Sequence, residues 1–100
     1  MVVAEVAGTV VGFAQAVPGR DDPPVRPLEL AVLYLRAAQH GSGLGQALLD
    51  AVIGDRPASL WVAEANPRAR RFYERNGFRP DGTRAVVESW EGIAEVRLVR

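Results

Sequence analysis

The chain contains no cysteine and only one histidine. The absence of cysteine excludes disulfides, thiolate metal sites and cysteine nucleophiles. One histidine is too few for a histidine-based zinc site, so we expect no metal cofactor. Together these absences favour a protein that works in the reducing environment of the cytoplasm.

The sequence also lacks an excess of charge and a long apolar run. Its 12 basic and 12 acidic residues balance, which argues against a broad electrostatic surface for DNA or RNA. No apolar run approaches the length of a membrane-spanning helix. Met1 leads directly into a strand-like segment, so we expect no secretory leader. The expected partners therefore include neither nucleic acid nor a membrane.

The length and composition of the chain are typical of one small globular domain. The chain has 100 residues, 48% hydrophobic and 24% charged, and we expect residues 1–100 to form a single domain. Apolar alternation and buried runs predict strands at Val2–Val6, Thr9–Val17, Leu28–Leu35, Ala58–Ala63, Phe78 onward and Ile93–Val99. Turn chemistry predicts connections at Ala7-Gly8, Asp81-Gly82 and Glu91-Gly92.

Two helices are expected between these strands. The first begins near Leu44 and stops at Gly54, where its apolar positions end. The second is capped by Asn66, has Pro67 at its first position and ends at Gly77. The resulting order is ββ-βαβ-α-ββ, which indicates an α/β domain with a mixed sheet.

The segment from Gln39 to Gly45 is the most informative part of the chain. It carries glycine at 41, 43 and 45, between a predicted strand and a predicted helix. Glycines let the backbone approach a ligand closely, and a helix start offers unpaired N–H groups. This layout predicts a phosphate-binding loop. The chemistry of that phosphate ligand decides the function.

Two familiar phosphate loops do not fit this segment. A P-loop requires Gly-Lys-Ser/Thr at its end, whereas this loop ends Gly45-Gln46-Ala47. A dinucleotide-binding fingerprint requires G-x-G-x-x-G, but the third position falls on Gln46 or Leu48. Glu64 does lie at a suitable distance for that fingerprint. The glycine spacing nevertheless makes nucleotide kinases and dinucleotide enzymes poor matches.

A third family fits the loop and a second segment. His40-Gly41-Ser42-Gly43-Leu44-Gly45 resembles the Arg/Gln-x-x-Gly-x-Gly/Ala motif of the GCN5-related N-acetyltransferases (GNAT), and Asn66 to Phe78 resembles their N-x-x-A-x-x-F-Y-x-x-x-G-F segment. The resemblance runs from about Val2 to the C-terminus. It implies a mixed central sheet with helices on both faces, and transfer of an acetyl group from acetyl-coenzyme A to an amine by direct attack in a ternary complex.

The resemblance also implies where the cofactor is held. Expected cofactor contacts are Leu33, Tyr34, Leu35, His40, Gly41, Ser42, Gly43, Leu44, Gly45, Gln46, Asn66 and Tyr73. The strand through Leu35 would line the pantetheine arm, and Tyr73 matches a tyrosine that serves as general acid. His40 departs from the usual Arg or Gln, and either donates to a phosphate or stabilises the loop. Asn66 has an alternative role as a helix cap, and Tyr73 as a core aromatic residue.

Charged residues supply the remaining candidates. Glu29 is the only charge in an otherwise apolar strand, and a carboxylate there is suited to accept a proton from the amine. The alternative is that Glu29 lies at the strand end and faces water. Glu64 is the reserve candidate for the base. Arg68, Arg70, Arg71 and Arg75 either contact the 3′-phosphate or adenine end of the cofactor or form a solvated face, which is the commoner arrangement.

The family usually begins with a further strand and two helices, and Met1 falls before the second family strand. A domain without those elements would expose apolar sheet surface, which predicts self-association, as a homodimer. It also leaves open a non-catalytic module that binds or senses acetyl-coenzyme A. The acceptor is a small-molecule or peptide amine that the sequence does not specify further.

Overall fold

The computed structural model describes residues 1–87 and 92–100. Within them, six strands form one sheet and two helices connect parts of it. The strands are β1 (Val2–Val6), β2 (Thr9–Pro18), β3 (Leu28–Leu35), β4 (Ser59–Ala63), β5 (Arg79–Val87) and β6 (Ile93–Val99). The helices are α1 (Leu44–Val52) and α2 (Pro67–Arg75), and a short 3₁₀ turn occupies Ala37–Gln39. Neither helix has the length and apolarity that crossing a bilayer would require.

The sheet is mixed, with strand order β1-β2-β3-β4-β6-β5. Strands β3 and β4 are parallel, and the other neighbouring pairs are antiparallel. This arrangement confirms the predicted ββ-βαβ-α-ββ order and the mixed sheet. The predicted strand and helix bounds agree to within about a residue at most ends, because turn and cap chemistry is local.

Helix caps follow the chemistry of the sequence. The Asn66 side chain accepts a hydrogen bond from the Ala69 N–H at 3.1 Å, and Pro67 follows as the first helical residue of α2. Gly77 has φ of +89° just beyond α2, a conformation that favours glycine. At the end of α1, Gly54 has φ of +58°. These positions explain why both helices end where they do.

One buried cluster unites both helices with the centre of the sheet. Leu30, Leu60 and Leu98 are paired across β3, β4 and β6, so their side chains share one face of the sheet. Leu49 of α1 and Tyr73 of α2 belong to the same buried cluster. Both described helices pack on this one face of the sheet. The connection from β3 to β4 through α1 and the connection from β4 to β5 through α2 run in the same direction across the sheet. Because such connections are right-handed, their helices lie on the same face.

The opposite face of the central strands is rich in charge. Arg97 of β6 contacts Asp81 at 2.6 Å and Asp21 at 3.3 Å, and its guanidinium lies 5.9 Å from the centroid of the Trp61 ring. The Trp61 indole N–H donates to Asp21 at 3.2 Å. Asp21 belongs to the proline-rich loop between β2 and β3, so this network ties that loop to β4 and β6.

One predicted turn is wrong. Asp81 and Gly82 lie inside β5, where the five residues from Pro80 to Arg84 face only three residues of β6, Val96 to Leu98. Gly82 has φ of +88°, so the segment is a bulge rather than a chain reversal. Bulges and turns use the same glycine chemistry, and strand register distinguishes them. The predicted Glu91-Gly92 turn falls partly outside the described residues.

Apolar side chains are exposed at the β1 end of the sheet. Met1, Val3, Val6 and Val10 are each more than two-fifths exposed, and β1 is an edge strand. An exposed edge with apolar neighbours favours pairing with another chain. The homodimer expected from the sequence therefore stays a prediction with a surface that suits it.

Candidate active site

A gap inside the sheet forms the centre of the site. Strands β3 and β4 are paired only at Glu29 with Ser59 and at Leu30 with Leu60, although β3 continues to Leu35. Ala31 is an extra residue in β3, because Leu30 and Val32 face consecutive residues of β2. This bulge bends β3 away from β4. Backbone groups of β3 beyond Leu30 are left without a partner in β4, so they are available to a ligand.

The glycine loop lies at the end of β3, next to the gap. Gly41 has φ of +81° and Gly43 has φ of +88°, and Gly43 is the N-cap of α1. A methyl group at either glycine would meet nothing within 4 Å, so the space beside the loop is open. The N–H groups of Gly45 and Gln46 in the first turn of α1 have no acceptor among the described residues. They form, with the helix dipole, a site for an anion.

A cleft of about 650 Å³ adjoins this loop. Its lining residues are Leu33, Tyr34, Leu35, His40, Gly41, Gly43, Gly45, Gln46, Asn66, Arg68, Ala69, Arg71, Phe72, Tyr73 and Arg75. The fold thus gathers in one place every expected cofactor contact except Ser42 and Leu44. The Ser42 hydroxyl instead donates to the Gln39 carbonyl at 2.5 Å, which stabilises the loop.

The arginines of α2 divide into two groups. Arg68, Arg71 and Arg75 follow one stripe of the helix and line the cleft, and none has an ion-pair partner within residues 1–87 and 92–100. Arg70 turns away and donates to the Glu64 carbonyl at 3.2 Å. Guanidinium groups match phosphate oxygens well, because their N–H donors form a fork. The solvated-face alternative therefore fits Arg70, whereas the other three face the cleft beside the glycine loop.

The single histidine stabilises the loop. Its Nε2 lies 3.1 Å from the Leu35 carbonyl oxygen, which can only accept a hydrogen bond. Nε2 must therefore carry a proton, and this N–H is engaged by the backbone at the end of β3. Of the two roles expected from the sequence, this geometry supports loop stabilisation.

Tyr73 occupies the boundary of the cleft. Its ring packs edge-on against Phe72 and Phe78, at centroid distances of 5.2 and 5.8 Å. Burial raises the pKa of Tyr73 to about 12, so the phenol keeps its proton at neutral pH. The hydroxyl has no hydrogen-bond partner among the described residues, and no buried side-chain oxygen there is left unsatisfied. The hydroxyl therefore reaches the open space of the cleft.

A second, smaller cavity of about 250 Å³ occupies the gap between β3 and β4. It shares Leu33, Asn66, Ala69 and Tyr73 with the cleft, so the two spaces meet at these side chains. Its other lining residues are Leu30, Ala31, Val32, Leu60, Trp61, Val62, Ala63 and Glu95. Sequence reasoning missed Trp61 and Glu95. Glu95 could have been found by the pattern that selected Glu29, namely an acidic residue among apolar residues of a strand.

The structure does not bring Glu29 to either cavity. Its side chain is 3% exposed and accepts from Arg20 at 2.6 Å, with the Arg20 backbone N–H also donating to it at 3.0 Å. Leu33 is four residues away, or about 13 Å along an extended strand. Glu29 is therefore held in a buried ion pair, and both of its carboxylate oxygens accept hydrogen bonds from Arg20.

Glu64, the reserve candidate, is also engaged. It accepts from Arg84 at 2.9 Å, and this hydrogen bond lowers the pKa of the Glu64 carboxyl below its usual value. A lowered pKa makes a carboxylate a weaker base. Glu64 lines neither cavity.

Comparison with known proteins agrees with this geometry. A family model described as an acetyltransferase (GNAT) domain matches residues 1–80. The chain belongs to the GNAT family. It is 39% identical over 83 residues to an uncharacterized N-acetyltransferase of Mycobacterium tuberculosis, covering 77% of this chain and 51% of that protein. It is 38% identical to the mycothiol acetyltransferase of Propionibacterium freudenreichii, covering 100% of this chain and 32% of that protein. This GNAT chain spans about half the length of the mycobacterial relative.

Solved GNAT structures share the fold. Ard1 of Thermoplasma volcanium has a TM-score of 0.80 and 23% identity, covering 98% of this chain and 67% of that one. Naa50 of Arabidopsis thaliana, in complex with the bisubstrate analogue CoA-Ac-MVNAL, has a TM-score of 0.75 and 18% identity, covering 98% and 70%. These likenesses confirm the α/β acyl-CoA N-acyltransferase fold.

The Glu29 ion pair generates a first prediction. Arg20→Ala leaves a buried carboxylate without its cation and should destabilise the fold by about 2 kcal/mol, a value reduced from that of a fully buried pair because Arg20 is 62% exposed. Glu29→Gln keeps hydrogen-bond acceptance and should cost about 1 kcal/mol. Urea denaturation measures both. Acetyl transfer by the Glu29→Gln variant should stay within about twofold of wild type, and a large loss of rate in a stable variant would restore Glu29 as the base.

The glycine loop generates a second prediction. Gly43→Ala and Gly54→Ala both place a side chain at positive φ, at opposite ends of α1. Each should cost about 1 kcal/mol of stability. Only Gly43 lines the cleft, so only Gly43→Ala should weaken coenzyme A binding, by about tenfold. Calorimetric titration measures the affinity, and equal affinities in the two variants would contradict a phosphate-binding loop.

Proposed function

We propose that residues 1–100 form an acetyl-coenzyme A-binding N-acetyltransferase domain that acetylates a primary amine by direct attack in a ternary complex. The observation that carries this proposal is the junction of two cavities at Tyr73 and Asn66. One cavity has the donors that a phosphorylated cofactor needs, and the other approaches the same wall from a different side. A donor and an acceptor can therefore meet without competing for space.

The donor side of the site matches the chemistry of coenzyme A. The pyrophosphate is expected on the N–H groups of Gly45 and Gln46, at the start of α1. Arg68, Arg71 and Arg75 supply positive charge for the remaining phosphate. The pantetheine arm carries amide groups, which suit the backbone of β3 where it has separated from β4. The bisubstrate analogue bound by Arabidopsis Naa50 supports a coenzyme A donor here.

Transfer itself requires few protein groups. The thioester of acetyl-coenzyme A is already activated, and holding it beside the amine supplies much of the rate enhancement. The attacking nitrogen forms a bond to the carbonyl carbon, and the carbon–sulfur bond breaks. Backbone N–H groups of β3 near Leu33 are suited to stabilise the negative charge on the carbonyl oxygen.

The Tyr73 hydroxyl is suited to interact with the sulfur atom of the leaving thiolate. A pKa of about 12 is well above the ~8.5 of a typical thiol, so complete proton transfer from the phenol to a thiolate is unfavourable. We therefore assign Tyr73 the role of a hydrogen-bond donor that stabilises the developing thiolate. This role uses the hydroxyl, while the ring maintains the packing with Phe72 and Phe78.

The proposed function has a direct test in two steps. Acetyl-coenzyme A at 100 times its dissociation constant should stabilise the chain by about 2.7 kcal/mol, seen as a rise in melting temperature of more than about 10 °C. Release of free thiol with a panel of primary amines then measures transfer. Binding without thiol release on any amine would identify the non-catalytic binding or sensing module. An absence of binding would contradict both functions.

Tyr73→Phe tests the catalytic role within that assay. Loss of the hydroxyl should lower kcat by about 100-fold. Melting temperature and acetyl-coenzyme A affinity should stay near wild type, because the ring contacts remain. Tyr34→Phe is the comparison variant, since Tyr34 is the only other tyrosine, is 52% exposed and lines the same cleft, so it measures the loss of a cleft hydroxyl other than the proposed donor. A kcat for Tyr73→Phe close to that of the Tyr34→Phe variant would mean that Tyr73 packs in the core and has no catalytic role.

A further inference from the structure

Glu95 lines the second cavity and does not line the cleft beside the glycine loop. It is half-buried in β6 and is the only acidic residue that lines either cavity in the described part of the chain. The cofactor cleft, by contrast, is lined by Arg68, Arg71 and Arg75. The two cavities therefore have opposite charge, and they meet at Tyr73. This contrast suits an anionic donor on one side and a cationic acceptor on the other.

The side chains beside Glu95 do not neutralise it. Its cross-strand neighbours are Ala63 of β4 and Ala85 of β5, which are too short to cover a carboxylate. Arg97 is two residues along the same face of β6, but its guanidinium bonds Asp81, Asp21 and Thr83. No described side chain donates to Glu95. Its carboxylate therefore faces the cavity without a partner from the described residues.

Four other acidic residues on or next to the sheet are held in ion pairs, whereas Glu5 on β1 is exposed. Glu29 pairs with Arg20, Glu64 with Arg84, and Asp21 and Asp81 with Arg97. Glu95 is the exception that adjoins a cavity. A carboxylate kept free of a cation at a cavity wall is suited to bind a cation supplied by a ligand.

We propose that Glu95 is the acceptor-binding residue, and that it selects an amine that arrives as a positively charged alkylammonium ion. This inference rests on the proposed function, because it assigns the acceptor half of the same site. Trp61, which lines the same cavity, offers an apolar surface for the carbon chain next to the ammonium group.

The step that follows conserves protons and electrons. The ammonium ion, held at the Glu95 carboxylate, loses one proton to water and becomes a neutral amine. The amine lone pair forms the nitrogen–carbon bond, and the electrons of the carbon–sulfur bond leave with the thiolate. A second proton from the nitrogen reaches the thiolate.

The test compares two kinds of acceptor in wild type and Glu95→Gln. One is an alkylamine such as 1,4-diaminobutane, which is a cation at neutral pH, and the other is an arylamine, whose nitrogen is uncharged. Glu95→Gln should raise the KM for the alkylamine by about 10- to 100-fold, as expected for loss of a charge-assisted hydrogen bond. The KM for the arylamine and the affinity for acetyl-coenzyme A should change less than about twofold.

Glu5→Gln is the control, because it removes an exposed carboxylate on β1 that lines neither cavity. It should leave all three values unchanged. An unchanged alkylamine KM in Glu95→Gln would overturn the proposal while leaving the transferase function intact. An equal loss for both acceptors with a lower melting temperature would also overturn it, as a structural effect.

A binding measurement decides the case in which no amine is acetylated. Calorimetric titration of 1,4-diaminobutane into the coenzyme A-saturated protein compares wild type with Glu95→Gln. Binding at least tenfold weaker in the variant supports the acceptor role of Glu95, and the missing thiol release then counts only against transferase activity. Equal binding in the two proteins overturns the role of Glu95.

Discussion

The separation of β3 from β4 is the constraint on which the site depends. The two parallel strands share two residue pairs, and the bulge at Ala31 directs the rest of β3 away. A gap within a sheet leaves backbone N–H and C=O groups without partners, and a folded protein tolerates this where a ligand can satisfy them. Both cavities lie along this gap and meet at Tyr73.

The two helices form walls of the cleft on one face of the sheet. Gln46 of α1 donates to the Asn76 side chain just after α2, at 2.8 Å, and Gly45 faces the Phe72 ring. The glycine loop and the arginines of α2 thus reach the same cleft from opposite walls. Packing of α1 against α2 therefore does more than fill the core, because it sets the width of the cleft.

Although the net charge of the chain is zero, positive charge is concentrated where the arginines of α2 line the cleft. All 12 basic residues are arginine, and most of them donate to carboxylates or to backbone carbonyls of the described chain. Those of α2 that line the cleft are left for a ligand. Composition argued against a broad basic surface, but it contains no information about which arginines are paired. A small patch of three cations suffices for one phosphorylated cofactor.

Features formed by residues that are close in the sequence were the most predictable from it. The glycine loop, the Asn66 cap and the glycine after α2 depend on residues within a few positions of each other, so their geometry follows from local chemistry. The Asp81-Gly82 bulge was mistaken for a turn, because only pairing with β6 distinguishes them. The face on which each helix packs likewise depended on strand order rather than on helix sequence.

The sequence by itself determined the elements, their order, the position of the glycine loop and the family. Only the tertiary structure decided which carboxylates are held in ion pairs and which line a cavity. Glu29 and Glu95 look alike in sequence, since each is an acidic residue in a largely apolar strand. Glu29 is paired because the loop after β2 folds back and places Arg20 upon it, whereas Glu95 is flanked by alanines and lines a cavity. Ion pairs join residues that are distant along the chain, so no local pattern can specify them.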